Sequence, residues 1–303
     1  MPELPEVENI KKDLRKTLIG KQIQRVFVYT EKMIKVGAGK ISNIKKGSKK
    51  QTQEFIKTLK NKRILEIQRR AKYLIISLSQ KHFLVIHLRM SGQLIFRNKK
   101  QLKEPLLLSV AKNAVKEKLP NKHTHLEIVF KGEQRLFYND IRQFGHLRLV
   151  NQKELEEIFE NLSLGPEPLS LSFEGFKEIS ETYKRKRAKD FLLDQRVISG
   201  IGNIYSDEAL FRSKINPSRK IYSLKEAELK KLFQNIKLVL NEAISAGGSS
   251  IDSFKRVNGN SGKYTEKHLV YGRSGFPCPV CKRKLLSKKI GSRTSTYCGY
   301  CQK

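Results

Sequence analysis

The sequence is poor in acidic residues, in long apolar runs, and in cysteine anywhere but its end. It holds 29 Asp and Glu against 62 Lys and Arg, a formal net charge of +33. Such an imbalance speaks to partners rather than to fold. Neutralising phosphates takes many cations, so nucleic acid is the partner class it favours, with a generally Lys-rich proteome as the plain alternative. No apolar stretch approaches the roughly 18 residues of a membrane helix, so no membrane partner is expected. The first residues, MPELPEVENI, are acidic and lack an apolar run, so they do not read as a secretory signal. A soluble cytosolic protein is expected. All four cysteines fall in the last 26 residues. In a reducing compartment such a cluster favours a metal over disulfides.

A chain of 303 residues is long enough for two or three domains. Val7, Ile10, Leu14 and Leu18 recur at helical spacing behind Pro5, and Gly20 is a plausible stop. QIQRVFVYT, RILEIQRRAKYLIISLS, HFLVIHLRMSGQLIF, THLEIVF and RLFYNDIRQFGHLRLV then read as strands. Two Lys-rich stretches interrupt them: residues 35–53, read as a flexible loop, and residues 97–122, read as a loop with a short helix around LLLSVAKNAV. Residues 1–150 are therefore read as a β-sandwich with an N-terminal helix. Gly165, Pro166 and Pro168 mark a linker over 151–170. Residues 171–245 are helical in period, with two short helices meeting at Ser199-Gly200-Ile201-Gly202-Asn203 and a long helix over 224–245. Residues 249–268 are polar and Gly-rich, read as mobile and grouped with this helical domain (171–268). The class is α+β multidomain, with a cysteine-bearing tail at 269–303.

Cys278 and Cys281 form one C-x2-C and Cys298 and Cys301 another, with 16 residues between. That spacing predicts two knuckles gripping one zinc through four thiolates, with a disulfide or redox pair as the alternative. Four cysteines leave no ligand position open for water, so the zinc is expected to be structural. The ribbon it holds carries Lys282, Arg283, Lys284, Lys288, Lys289 and Arg293.

MPELPEVE at the start, RRAKYL at 69–74, HLRMSG at 87–92, KHTH at 122–125, DIRQFG at 140–145 and GPEPL at 165–169 form an ordered set. GIGNIYSDEALF at 200–211, VYGR at 270–273 and the final YCGYCQK continue it. This set resembles the formamidopyrimidine-DNA glycosylases from one end of the chain to the other. The resemblance implies a bacterial base-excision repair enzyme that removes oxidised purines and then nicks the strand. It implies an N-terminal β-sandwich, a helix–two-turn–helix domain and a zinc ribbon, working as a monomer on double-stranded DNA with an oxidised base or abasic site, with no diffusible cofactor. Pro2, once Met1 is removed, presents a secondary amine, neutral in part at pH 7 and nucleophilic. Attack on the sugar C1′ gives an iminium, an electron sink that allows strand elimination.

The resemblance assigns Glu3 a general-acid role and Lys72 a proton-donating role at the lesion, although alone Lys72 is an ordinary lysine. Glu6 either stabilises the charged amine or simply supports the helix start. Met90, Arg142 and Phe144 match the residues that fill the hole left by a flipped base; otherwise Met90 and Phe144 are core residues. His123, Lys184 and Asn203 match phosphate contacts, with His123 equally readable as packed core. Arg293 corresponds to the ribbon arginine that grips the lesion phosphate and assists the second elimination. Gln143 stands where Lys or Arg is common, and most of the 249–268 loop that covers an everted guanine in relatives is this chain's own. A sister-group reading, an endonuclease VIII-like enzyme for oxidised pyrimidines, shares Pro2 and Glu3. A non-catalytic zinc-ribbon nucleic-acid-binding protein is the alternative of a different class.

Overall fold

The computed structural model describes residues 2–39, 47–108, 116–251 and 254–303. The chain divides into two compact units, one of residues 1–161 and 247–263, the other of residues 162–246 and 264–303.

The first unit opens with α1 (Leu4–Leu18). Its predicted stripe is its buried face: Val7, Ile10, Leu14 and Leu18 are at most 1% exposed. Burying each contributes about 1.5–3 kcal/mol as an upper estimate. Gly20 follows at φ +80°, as the helix stop requires. Two sheets share one core. The first runs in the order β1 (Ile23–Val28), β9 (Thr124–Phe130), β10 (Arg135–Asp140), β6 (Gly92–Arg97), all antiparallel. The second is β2 (Ile34–Val36), β11 (His146–Asn151), β5 (His82–His87), β4 (Tyr73–Leu78), β3 (Ile64–Arg70), with only β2 parallel to its neighbour. Val26, Leu94, Ile128 and Leu136 of one sheet and Ile67, Leu74, Ile86 and Leu147 of the other meet in that core with the stripe of α1.

Several expectations need correction. The stretch 35–53 is not simply a loop: β2 occupies its start, and α2 (Lys49–Leu59) begins within it, capped by Ser48, whose hydroxyl accepts from the Gln51 N–H at 3.3 Å. Phe55 and Leu59, four apart and fully buried, are what hold this Lys-rich helix to the core. Within 97–122, Leu106–Leu107 and Lys116–Glu117 pair as the short strands β7 and β8; the rest of the expected short helix lies outside the described residues. The linker at 151–170 starts as α3 (Gln152–Leu162), because Asn151 and Glu154 cap one another's backbone N–H groups at 3.0 and 2.8 Å.

The 249–268 segment differs most. Residues 247–263 belong to the first unit, not the helical one. Phe254 and Val257 enter its core, the Phe96 N–H donates to the Val257 carbonyl at 2.9 Å, and Arg256 grips Asp13 with two hydrogen bonds. Two apolar side chains in a polar stretch anchor what composition alone marks as mobile.

The second unit holds α4 (Phe173–Thr182), α5 (Ala188–Leu193), α6 (Asn203–Ser213) and α7 (Glu226–Ser245), then the hairpin β12 (Leu286–Ile290) and β13 (Arg293–Tyr297). The short helices α5 and α6 flank Gly200, at φ +86°, as the sequence predicts.

Candidate nucleic-acid site

At the start of the chain, Glu3 is extended and α1 begins behind it. The Glu3 N–H donates to Glu6 Oε2 at 2.8 Å, and Glu6 Oε1 accepts from the Ser249 N–H at 2.7 Å. Glu3 and Glu6 are 2% and 1% exposed, and Pro2 is buried as well. Glu6 therefore does more than support the helix dipole: it fixes the chain end and clamps the 247–249 turn. Gly248, at φ +88°, leaves the space for that clamp, since a Cβ there would lie 3.0 Å from Glu6 Oε1.

Lys72 sits at the tip of the β3–β4 hairpin, after Ala71 at φ +53°, and is 8% exposed. The tip is fastened to α1. Arg69 donates to the Ala71 carbonyl at 3.0 Å and to Glu8 Oε2 at 2.8 Å. Burial alone would raise the Glu8 carboxyl; hydrogen bonds from Lys11 and Arg69 outweigh it and bring it below its ordinary value. Because α1 packs on β3 and β4, Pro2, Glu3 and Lys72 lie on elements that pack as one corner of the unit.

A second cluster is organised by Asp140, a residue the sequence reading passed over. Its buried carboxylate accepts from the Ser91 hydroxyl, the Arg142 N–H at 3.2 Å, the Gly145 N–H at 2.8 Å and the Tyr138 hydroxyl at 3.3 Å. Its own N–H donates to the His123 carbonyl at 3.0 Å. The carboxylate thus joins the loop with Met90 to the loop with Arg142 and Phe144, and the backbone of the same residue ties in the turn with His123. Gly145 has no room for a Cβ, which would collide with the Tyr138 hydroxyl. Phe144 is 55% exposed with the Arg142 guanidinium 4.8 Å from its ring centre, so it is not a core residue. Met90 and His123 are half-buried.

Close to Lys72 lies a buried imidazole pair. His146 is 2% exposed, neither ring nitrogen has a partner among the described residues, and its ring stacks on His87 at 5.7 Å. Burial, then the charges of Arg89 and Arg148, push His146 down to about 3. Burial, then Arg89, His146 and Lys72, push His87 well below its ordinary value. Both are therefore neutral when folded, while the unfolded chain protonates them below pH ~6.5. The unfolded state then binds more protons, and stability is lost as pH falls below ~6.5; for His146 the loss runs down toward about 3, at about 1.4 kcal/mol per pH unit. His146→Leu is expected to lose less melting temperature between pH 7 and pH 5 than the wild type. Identical pH dependences in thermal melts would contradict this.

In the second unit, Gln195 holds the turn between α5 and α6, accepting from the Gly200 N–H at 2.9 Å and donating to the Ile201 carbonyl at 2.8 Å. Asn203 opens α6, and its Nδ2 donates to the Thr294 carbonyl at 3.1 Å, beside exposed Arg293. Lys184 is exposed and 3.7 Å from Glu181. Beyond it, Arg185, Lys186, Arg187, Lys220 and Ser292 line a hollow of about 730 Å³. The hydrogen bond from Arg196, supported by Lys186, holds the Asp194 carboxyl on its wall down to about 2. The run YKRKRAK pointed here, but only folding brings Lys220 and Ser292 to it.

The four cysteine sulfurs lie within 4.8 Å of one another, with Cys278–Cys301 at 3.9 Å and Cys281–Cys298 at 3.5 Å. These separations are too long for a disulfide. They suit four thiolates around one tetrahedral ion at ~2.3 Å, which places sulfurs ~3.8 Å apart. The cluster could hold a metal ion, and two of its members, Cys278 and Cys298, are buried.

A carboxylate-flanked chain end, a loop presenting an arginine and a phenyl ring to solvent, and a cation-rich helix–turn–helix with a four-cysteine ribbon define a class: an enzyme that acts on nucleic acid. Comparison with known proteins narrows it. The family model for the formamidopyrimidine-DNA glycosylase N-terminal domain matches residues 1–147, and that for the H2TH domain of the same family matches residues 164–255. A formamidopyrimidine-DNA glycosylase of Pelotomaculum thermopropionicum is 36% identical over 304 residues, covering 100% of this chain and 99% of the relative. A Lactococcus lactis FPG mutant solved with a Fapy-dG containing DNA superimposes with TM-score 0.82 at 31% identity, covering 99% of both chains. The Lactococcus lactis Fpg complex with an abasic-site DNA has TM-score 0.82 at 30% identity and the same coverage. The chain belongs to the formamidopyrimidine-DNA glycosylase family, the glycosylase/AP lyases of base-excision repair.

Proposed function

We propose that this chain excises oxidised purines, 8-oxoguanine and formamidopyrimidines, from double-stranded DNA and then cleaves at the site it has made. The observation that carries this reading is the fixed chain end: buried Pro2 and Glu3, with Glu6 clamping the helix start and Lys72 on the hairpin packed against it.

With Met1 removed, the Pro2 nitrogen attacks C1′, and the bond to the damaged base breaks as the base takes a proton. Glu3 is the acid that protonates the sugar ring oxygen or the departing base. Lys72 contacts the lesion and supplies a proton to it. Loss of the C2′ proton from the iminium expels the 3′ phosphate, and a second elimination expels the 5′ phosphate. A one-nucleotide gap with phosphates at both ends results, and hydrolysis of the imine returns the amine. Met90, Arg142 and Phe144 occupy the space the everted base leaves, Arg142 offering its donors to the widowed partner and Phe144 stacking between bases. His123, Lys184 and Asn203 bind phosphates around the lesion, and Arg293 grips the phosphate at the lesion and assists the second elimination. Cys278, Cys281, Cys298 and Cys301 hold one zinc ion, which cross-links the ribbon and leaves the chemistry to the protein. No diffusible cofactor is required. The enzyme is read as a monomer of the bacterial cytosol, and no helix among the described residues is long and apolar enough to cross a membrane.

The test is a labelled duplex with 8-oxoguanine opposite cytosine, beside one with an oxidised pyrimidine. Release of the purine lesion with a gapped product is expected. The wedge set Met90, Arg142 and Phe144 and the loop glycines Gly259 and Gly262 favour that substrate. Turnover of the pyrimidine duplex alone would move the chain to the endonuclease VIII-like reading.

A further inference from the structure

Lys189 of α5 is fully buried, and its ammonium meets three acceptors in the first turn of α6: Asp207 Oδ1 at 2.7 Å, Ser206 Oγ at 2.7 Å and the Asn203 carbonyl at 3.2 Å. Asp207 is 2% exposed and turns outward to the ribbon. It accepts from the Ser295 hydroxyl, and its Oδ2 accepts from the Thr296 N–H at 3.0 Å. With Asn203 Nδ2 on the Thr294 carbonyl, three successive residues of β13 are gripped by one helical turn. Arg293 is the residue immediately before them. The neighbouring Glu208, fully buried, holds the other arm, accepting from the Leu269, Val270 and Tyr271 N–H groups at 2.9–3.1 Å. Adjacent carboxylates on α6 thus tie down the turn before the ribbon and the strand that closes it.

A buried ion pair gives little net stability over well-packed apolar side chains. What it supplies here is direction: Lys189 fixes the Asp207 carboxylate on α6, and the hydrogen bonds that Asp207 accepts from Ser295 and Thr296 are met by one register of β13. A strand that slips by one residue turns its side chains to the opposite face, and such a slip would carry Arg293 away from Asn203. We propose that Lys189 and Asp207 are positioning residues that set Arg293 against Asn203, so that both reach the same stretch of DNA backbone. Neither touches the DNA. The chemical consequence rests on the reading of Arg293 as the residue that assists the second elimination; the placement of the strand does not.

The experiment compares wild type, Ser295→Ala, the double variant Lys189→Met/Asp207→Leu, and Arg293→Ala as reference. The double variant removes both charges together, so neither is left buried and unpaired. Each protein is assayed for bound zinc, for hydrogen exchange over residues 286–297, and for the ratio of second- to first-elimination product on an abasic-site duplex. Misplacing a catalytic group by about 1 Å costs on the order of 100-fold, so the ratio is expected to fall by about 10- to 100-fold in the double variant. Ser295→Ala, which removes one of the strand's bonds, is expected to fall by less. Exchange over β13 should quicken in both while bound zinc stays at one per chain. A folded, zinc-loaded double variant with wild-type exchange over 293–297 and a wild-type ratio would overturn the proposal. Should Arg293→Ala itself leave the ratio unchanged, the chemical role of Arg293 fails instead. Hydrogen exchange then decides the positioning role: quickened exchange over β13 upholds it, and wild-type exchange overturns it.

Discussion

Substituting Cys298 by Ser, or stripping the metal with a chelator, is expected to unfold the ribbon and reduce DNA affinity by orders of magnitude. The apolar core of the ribbon is small, although Asn203, Asp207 and Glu208 of α6 bond its backbone as well. Its buried cluster consists of Val270, Cys278, Leu285 and Cys298 around Phe211 of α6, and two of those belong to the four-cysteine cluster that could hold a metal ion. Coordination of zinc by four cysteines contributes on the order of 10–16 kcal/mol to folding in isolated fingers, far beyond what so few apolar side chains supply. The segment from Leu269 to the C-terminus carries basic residues and no Asp or Glu, so losing it removes phosphate contacts without removing any repulsion. Thermal melts should show a low transition for the ribbon, with the first unit unaffected. Unchanged affinity at zero bound metal would contradict this.

Asp140→Ala is expected to have the second largest effect. Truncation leaves the Ser91 and Tyr138 hydroxyls and the Gly145 N–H without this acceptor, and leaves the Arg142 N–H only the Ser91 hydroxyl, itself no longer held by the carboxylate. Breaking such a buried charged network costs about 3–5 kcal/mol. In a unit of this size that is roughly 10 °C of melting temperature. Excision should fall further than stability explains, because the loops carrying Met90 and Arg142-Phe144 lose their common anchor. Asp140→Asn separates the two effects: one acceptor is kept while the other is exchanged for a donor facing an N–H group. Base eversion, followed with a fluorescent base analogue opposite or beside the lesion, checks it. Eversion at the wild-type rate in a folded Asp140→Ala protein would rule out the anchor role.

Much of the architecture was legible in the sequence because it rests on local patterns. The α1 stripe, the Ser199–Asn203 turn and the paired C-x2-C knuckles each declare themselves within a few residues. What stayed hidden depends on contacts between residues distant in sequence. Asp140 reads as one more polar residue in DIRQFG until folding brings Ser91 to it. The pairing of Glu6 with Ser249 spans most of the chain. Phe254 and Val257 anchor a segment that composition marks as mobile, since two apolar residues are too few to set a period. The helix α2 had a legible Ser48 cap, obscured by the Lys-rich run around it. Lys189 and Asp207 lie in segments already assigned to a helical turn, and nothing in their spacing shows that both face inward to a third element.

The amine of Pro2 is expected to be the nucleophile. Borohydride trapping on a duplex with 8-oxoguanine opposite cytosine tests it most directly, with Pro2→Gly beside the wild type and Met1 removal verified by mass. Reduction of the imine should lock the wild-type protein to DNA, with the bond mapping to residue 2. Pro2→Gly should lose most of the adduct, since a primary amine replaces the secondary one. A stable adduct that maps to a lysine, or no adduct at all on a duplex that is nevertheless cleaved, would contradict it.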